Sequence, residues 1–357
     1  MTSPFHRLIF ANVLTLRRKG MGNRKRIFQS LQTAMLLLLI SLTGGSGLMT
    51  IYGADTEEEL LIPEKKEEGI LVPSSDQQDQ DNTHNIWKES GLAGECHDAV
   101  PQAEQNRTEG WIAWDESWEY ASYSAIHTGM AYLYRAPASR GIVVAVNAGH
   151  GTAGGTEAQT LCHPDQSPKV TGGSTGEGAI YAMAVSNGTT LLDGTPESQV
   201  TLSLARLLKD RLLQEGFDVL MIRNSDDVQL DNIARTVLAN QVADCHLSLH
   251  YDSTETDKGF FFISVPNVES YLGMEPVASH YQQHMALGNA LLSGAISQGI
   301  MLYGDGTLPI DLTQTSYSTI PSVDVEVGDR ASDYSPQTQG RIADAIVTGV
   351  KQYFGVG

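Results

Sequence analysis

The sequence predicts an α/β fold, with a mainly parallel sheet flanked by helices in a single domain over residues 141–357, behind a membrane segment and an acidic stalk. Three observations carry this expectation. From Gly141 onward, short apolar runs alternate with helix-length amphipathic stretches, as in strands joined by crossover helices. Near the N-terminus a basic cluster precedes a charge-free apolar stretch. Between the two lies a segment too acidic and too poor in aromatics to bury a core.

Residues 1–26 carry Arg7, Arg17, Arg18, Lys19, Arg24, Lys25 and Arg26 and no acid, and read as a basic cytoplasmic segment. Residues 27–54 are uncharged and centre on Ala34–Leu42 (AMLLLLISL). A basic flank before an apolar run fits a signal peptide or a signal anchor, and the stretch is just long enough to span a hydrocarbon core of about 30 Å. Residues 55–83 are rich in Glu, Asp and Gln and read as a disordered stalk. Residues 84–140 hold all four tryptophans. Trp111, Trp114 and Trp118 are spaced as on one face of a helix, so this segment is expected to be helical and to pack against the main domain.

Ile142–Val146 (IVVAV) is continuously apolar, as in a strand covered on both faces. Glu197–Glu215 follows Thr195-Pro196, carries a stripe of Leu204, Leu208 and Leu212, and stops at Gly216, which together predict a helix. The same reading gives strands at Phe217–Ile222, Cys245–Leu249, Phe260–Val265 and Val323–Val327. Helices are expected at Leu230–Asn240, Val277–Gln298 and Pro336–Phe354. There is no internal repeat.

Composition narrows the function. The 357 residues include 23 basic and 42 acidic side chains, a net charge of −19. With seven of the basic groups in the first 54 residues, the body is strongly acidic and a poor partner for nucleic acid. No GxxxxGK[ST] or GxGxxG follows a strand, so nucleotide binding has no support. Cys96, Cys162 and Cys245 contain no CxxC pair and make no disulfide framework; a Cys96–Cys162 bridge is conceivable, and Cys245 reads as a small buried hydrophobe.

In open α/β sheets, ligands gather at the carboxyl ends of strands. There the sequence places His150 in Asn147-Ala148-Gly149-His150-Gly151, then His250 before Tyr251 and Asp252, and Glu326 before Gly328. Imidazoles and a carboxylate on one edge are the ingredients of an open zinc site. Each also has an ordinary use. A lone histidine is more often hydrogen-bonded structure. Glu197 suits the first turn of a helix by complementing its dipole. Asp324 and Glu326 alternate with valines as on the polar face of an edge strand.

Five segments, in this order, resemble the zinc-dependent N-acetylmuramoyl-L-alanine amidases of bacterial cell-wall turnover. VVAVNAGHGTAGG is similar to their opening strand and histidine loop. TPESQVTLSLARLLKDRLLQEGFDVLMIRNSDDVQL resembles their glutamate-bearing helix and the strand ending in Arg. IARTVLANQVADCHLSLHYDS, IPSVDVEVGDRASDY and GRIADAIVTGVKQYFG follow as the second histidine strand, the catalytic-glutamate segment and the terminal helix. The resemblance covers about 141–357 and implies a single catalytic domain. It implies zinc (Zn2+) held by His150, Glu197 and His250, with Glu326 as general acid/base. It implies hydrolysis of the amide joining N-acetylmuramic acid to L-alanine in peptidoglycan, outside the cytoplasm, for wall remodelling or lysis. With the N-terminal segment it suggests anchoring to the membrane, or secretion if residues 27–54 are cleaved.

The neighbours of these residues depart from the family pattern at Asn147-Ala148, Thr152 and Gly328-Asp329-Arg330, which bears on specificity more than on the ligands. Glu177, in the Gly-rich insertion Pro168–Gly194, is the rival carboxylate. His163 and His246 are expected to pack away from the metal. Arg223 and Arg235 are expected as structural ion-pair partners, Asp324 as a like charge raising the pKa of Glu326, and Tyr251 and Asp252 as groove lining. Two other functions share the fold or the chemistry: a catalytically silent peptidoglycan-binding or regulatory homologue, and a zinc peptidase cutting within the stem peptide.

Overall fold

The computed structural model describes residues 107–357. The basic segment, the apolar stretch 27–54, the stalk, Cys96 and the first part of 84–140 lie outside the described residues. Among the described residues, no helix is long and apolar enough to cross a membrane.

The chain forms β1 (Gly110–Ile112), β2 (Ala131–Tyr134), β3 (Val143–Ala148), a small hairpin of β4 (Gln159–Leu161) and β5 (Tyr181–Met183), α1 (Glu197–Gln214), β6 (Asp218–Met221) and α2 (Asn232–Val242). It continues through β7 (Cys245–Asp252), β8 (Phe260–Ser264), α3 (Glu269–Leu272) and α4 (Val277–Ser297). β9 (Leu302–Pro309), α5 (Thr313–Tyr317), β10 (Ser322–Asp329) and α6 (Pro336–Phe354) complete it. Eight strands make one sheet in the order β1-β2-β6-β3-β7-β10-β8-β9. The expected mainly parallel sheet is instead mixed. β6, β3, β7 and β10 run parallel at the centre, but β1, β2 and β6 pair antiparallel on one side and β10 pairs antiparallel with β8 on the other. The connection from β7 to β8 is too short for a crossover, so β8 must return antiparallel.

Strand alternation sorts the sheet into two unlike faces. Val144, Val146, Leu247, Leu249, Val323 and Val325 join the large core that includes Leu204 and Leu208 of α1, Leu291 of α4 and Ile346 of α6. On the opposite face, α2 covers Val143, Ala145 and Leu220 with Ala234 and Leu238. Farther along that face, β7 presents His246, Ser248 and His250, and β10 presents Ser322, Asp324 and Glu326, paired in register His246↔Ser322, Ser248↔Asp324 and His250↔Glu326. β10 lies between β7 and β8, so Asp324 and Glu326 are not on an edge strand. A polar stripe on a central strand forgoes apolar burial, which marks this as the face to search for function.

The tryptophan segment is not a helix where it is described. Trp111 lies in β1 and Trp114 and Trp118 in the following turns, with Tyr120 in a left-handed conformation at φ 65°. The expected packing does occur: Trp114 and Trp118 sit against Ile233 and Val237 of α2, and Trp114 stacks on His127 at 5.0 Å. β1 and β2 thus extend the main sheet. Cys162 and Cys245 are buried and free.

The insertion after β3 is pinned by Asp311, which is fully buried. Its carboxylate accepts from Lys169 Nζ at 2.7 Å, Val170 N at 2.6 Å and the Thr171 hydroxyl, and lies 3.1 Å from His163 Nε2. Burial works to raise this carboxyl, but hydrogen bonds from His163, Lys169 and Thr171 outweigh it and hold the pKa well below the ordinary value. A depressed carboxyl gives stability that is complete above the ordinary aspartate pKa of about 3.9 and is lost as pH falls toward the lower folded value. Asp311→Asn leaves the Lys169 ammonium buried without its counter-charge. Its expected cost is about 3–5 kcal/mol, read by denaturant unfolding at pH 7, with a shallower loss of stability below pH 4 than in the wild type. An unchanged unfolding midpoint would show that the cluster holds nothing in place.

Candidate metal centre

His150 follows the end of β3 by two residues and is left-handed, with φ 64°, a conformation that costs energy outside glycine and is held by its surroundings. Arg223 and Arg235 do the holding. Arg223 donates to the carbonyls of Ala148 at 3.1 Å and Gly149 at 3.0 Å; Arg235 donates to Ala148 O at 3.2 Å, His150 O at 2.7 Å and Asn147 Oδ1 at 2.9 Å. Both are structural, as expected. Their partners are mainly backbone carbonyls of the histidine loop, however, and neither makes a side-chain ion pair. The planar guanidinium suits this, since it carries five donors in a fixed fork.

Glu197 is the first residue of α1. Thr195 does not cap that helix: its hydroxyl instead meets Tyr334 Oη at 3.0 Å, and Pro196 occupies the cap position. The Glu197 carboxylate turns back into the sheet, accepting from Thr189 N at 2.8 Å and Tyr251 N at 3.0 Å. His250 comes from β7. The three side chains meet: His150 Nε2 lies 3.0 Å from Glu197 Oε1 and 3.0 Å from His250 Nδ1, and His250 Nδ1 lies 3.1 Å from Glu197 Oε1. Among the described residues they form the one group of His, Cys, Asp and Glu able to hold a metal ion together. Glu177 is exposed and outside it.

The donor set fits zinc. Tetrahedral ligands at about 2.0–2.2 Å from the ion lie roughly 3.3–3.5 Å apart, close to the observed separations. Two ring nitrogens facing each other beside one carboxylate oxygen also need a positive charge between them. His150 Nδ1 is 2.9 Å from Ser186 O, which places its proton there and frees Nε2 for the cluster. His250 has Nε2 3.6 Å from Asp324 Oδ2. Burial works to lower the His250 pKa, but Asp324 and Glu197 outweigh it and push it up to about 10. A site that favours a proton this strongly favours a metal cation in its place. Burial works to raise the Glu197 carboxyl, and the hydrogen bonds and charge of the two histidines outweigh that and hold it well below the ordinary range.

Close approach dictates two glycines. A Cβ on Gly149 would stand 2.3 Å from the His250 ring, and one on Gly188 would stand 2.5 Å from His150 Cδ2 and 2.7 Å from Glu197 Oε2. No sequence signal marked Gly188 or Ser186, because both sit in an irregular loop.

Glu326 faces the cluster from β10, paired across the strands with His250. Its Oε2 is buried without a partner. Desolvation first, and the Asp324 carboxylate second, hold the Glu326 carboxyl well above the ordinary range. The expected role of Asp324 is therefore the lesser of two causes. Cluster, Asp324 and Glu326 open into one cavity of about 720 Å³ that Tyr251 and Asp252 also line. His163 packs away from the cluster against Asp311, and His246, also expected to pack away from the metal, is buried on β7 four residues before His250 and is not one of the clustered donors, though it lines part of the same cavity.

The sequence profile of the family described as N-acetylmuramoyl-L-alanine amidase matches residues 144–352. No curated protein matches the chain. Among solved structures, the chain is similar to the N-acetylmuramyl-L-alanine amidase Ami1 of Mycobacterium smegmatis, at 21% identity over 60% of this chain and 97% of that one, with a TM-score of 0.49. The apo form of Ami1 from Mycobacterium abscessus is 22% identical over 60% of this chain and 99% of that one, with a TM-score of 0.47. The catalytic domain of CwlV from Bacillus (Paenibacillus) polymyxa var. colistinus is 18% identical over 60% and 99%, with a TM-score of 0.42.

Proposed function

Because the chain belongs to the N-acetylmuramoyl-L-alanine amidase family, we propose that it hydrolyses the amide between N-acetylmuramic acid and L-alanine in peptidoglycan with zinc held by His150, Glu197 and His250. The observation that supports this best is the convergence of their three donor atoms within 3.0–3.1 Å, beside the unpaired carboxyl oxygen of Glu326. Two neutral imidazoles and one carboxylate leave a bound zinc ion net positive, able to acidify water and polarise a carbonyl. Glu326 takes the proton of the attacking water at Oε2 and later delivers it to the departing alanine nitrogen. Burial suits it to both steps, since a carboxyl with a raised pKa is a stronger base when ionised and, once protonated, keeps its proton nearer neutral pH until the departing nitrogen takes it. Ser186 and Asp324 orient the two imidazoles from behind.

The family's substrate points to work outside the cytoplasm. Retention there by residues 27–54, and a role in wall remodelling or lysis, belong to the same proposal. The test is metal removal. Dialysis of the full chain against a chelator should abolish release of new amino groups from peptidoglycan, and one equivalent of zinc should restore it. Full activity in the chelated protein would end the zinc reading.

A further inference from the structure

Three aromatic rings lie in a row on one face of the ribbon that β1 and β2 add to the sheet. Trp111 pairs with Tyr132 across the two strands, and Tyr134 follows two residues along β2 on the same side. Trp111 and Tyr132 meet edge to face with ring centroids 5.0 Å apart, and Tyr132 and Tyr134 are 4.5 Å apart. Trp114 and Trp118 are used in packing against α2, but Trp111 stays 58% exposed. Tryptophan is highly buried on average, so one left this open beside two further rings marks a contact surface. Both strands precede the span that the family profile matches, so the row lies outside the family domain.

The border of the row is polar and cationic. Tyr134 Oη donates to Asn224 Oδ1 at 3.2 Å, Arg206 Nη2 donates to Asn224 O at 2.9 Å, and Lys209 Nζ stands 4.6 Å from the Tyr134 ring centroid. Lys209 also pairs with Asp210 at 3.0 Å, whereas the exposed Arg206 forms no salt bridge among the described residues. In so acidic a body, an unpaired arginine beside open rings suits an anionic partner. Area argues against a second protein. One tryptophan at 58% exposure and two half-buried tyrosines offer roughly 300 Å², against roughly 800 Å² per partner in a stable interface. A sugar ring fits a patch of this size and kind, because its C–H face is apolar and its rim is hydroxyl. The row is also continuous with the catalytic side of the domain. Asn224 opens a short segment that meets the histidine loop through Val228 N, which donates to Gly151 O at 3.0 Å, and Asp227 Oδ1, which accepts from Ala153 N at 2.8 Å.

We propose that Trp111, Tyr132 and Tyr134 form a glycan-binding surface, separate from the cavity, on which the sugars of an amino-sugar strand stack by their C–H faces while Arg206 meets carboxylates carried by that strand. Trp111 supplies most of the contact, and the tyrosines hold its ring upright and extend the shelf. The surface keeps an insoluble polymer against the domain between cuts. The choice of sugar rests on the amidase reading; the existence of the surface does not.

The experiment is calorimetric titration of the full, zinc-loaded chain with chitotetraose, a tetramer of N-acetylglucosamine that carries no peptide and no charge. Wild-type protein should bind it, and Trp111→Ala should weaken binding about tenfold. Trp111→Phe, which restores a ring, should recover most of the affinity. Arg206→Gln should leave chitotetraose binding unchanged but weaken co-sedimentation with insoluble peptidoglycan severalfold at low salt. On a soluble muramoyl peptide with a single sugar, Trp111→Ala should keep kcat and KM within about twofold, while KM on insoluble peptidoglycan rises about tenfold. Failure of the wild type to bind chitotetraose, or equal binding by a folded Trp111→Ala protein, overturns the surface. So does a dimer in sedimentation velocity that Trp111→Ala dissolves, which would assign the row to a second copy of the chain. If chitotetraose binds through Trp111 but no muropeptide is cleaved, the amidase reading fails and the surface stands. If muropeptides are cleaved and chitotetraose is not bound, the surface fails and the amidase reading stands.

Discussion

Glu326→Gln is expected to lower turnover on peptidoglycan by about a thousandfold while zinc content stays at the wild-type level. The amide is isosteric, so β10 and its pairing with β7 have no reason to shift, and Glu326 is not one of the three clustered donors. What disappears is a group that can take and return a proton. The Glu326 oxygen with no partner makes the argument specific: a structural glutamate on a central strand would have its lone pairs satisfied, and Oε2 does not. Substitution also removes a buried acid next to Asp324, so the variant should be no less stable than the wild type, and thermal unfolding checks this. Retained turnover in a zinc-loaded Glu326→Gln protein would remove Glu326 from the chemistry and move the search to Asp324.

Glu197→Gln should act by the other route, through the metal. Changing a partner behind a ligand commonly weakens metal binding about 10–100-fold, and losing a charged ligand should cost at least the upper end of that range. Glu197 also ties Thr189 and Tyr251 to the start of α1. A glutamine can satisfy only one side of that arrangement with an oxygen, so its NH2 must face either a backbone N–H or the two imidazoles. Competition against a chromophoric chelator should show zinc affinity reduced by about a hundredfold or more, with activity following zinc occupancy. Wild-type affinity in this variant would mean that the two histidines hold the ion with some other group.

Much of the fold was legible because the central strands are apolar on the side that meets α1, α4 and α6. Val144, Val146, Leu247, Leu249, Val323 and Val325 need no context to be read as buried. The edges were not legible in the same way. β9 contains Gly304, Gly306 and Pro309, which weaken any strand pattern, and β4 and β5 are too short to show a period. The tryptophans misled because spacing on a helix face is also met by a short strand followed by turns. In the site, His150 and His250 could be suspected from strand ends alone, whereas Glu197 was pointed out by resemblance, because a glutamate opening a helix has an ordinary explanation in the helix dipole. Asp311 had no signal at all, since Lys169, Thr171 and His163 meet it only through the fold. The polar run His246, Ser248 and His250 was visible as letters. That Ser322, Asp324 and Glu326 lie beside it became evident only from the register of β10 on β7.

The most direct test of the amidase reading is the chemistry of the ends released from purified peptidoglycan by the zinc-loaded full chain, with the Glu326→Gln protein as control. Mass spectrometry should find intact stem peptides with a free L-alanine amino terminus and glycan strands whose lactyl groups end as carboxylates, both absent from the control. Fragments cut within the stem peptide, or no new ends from a chain that holds its zinc, would contradict it.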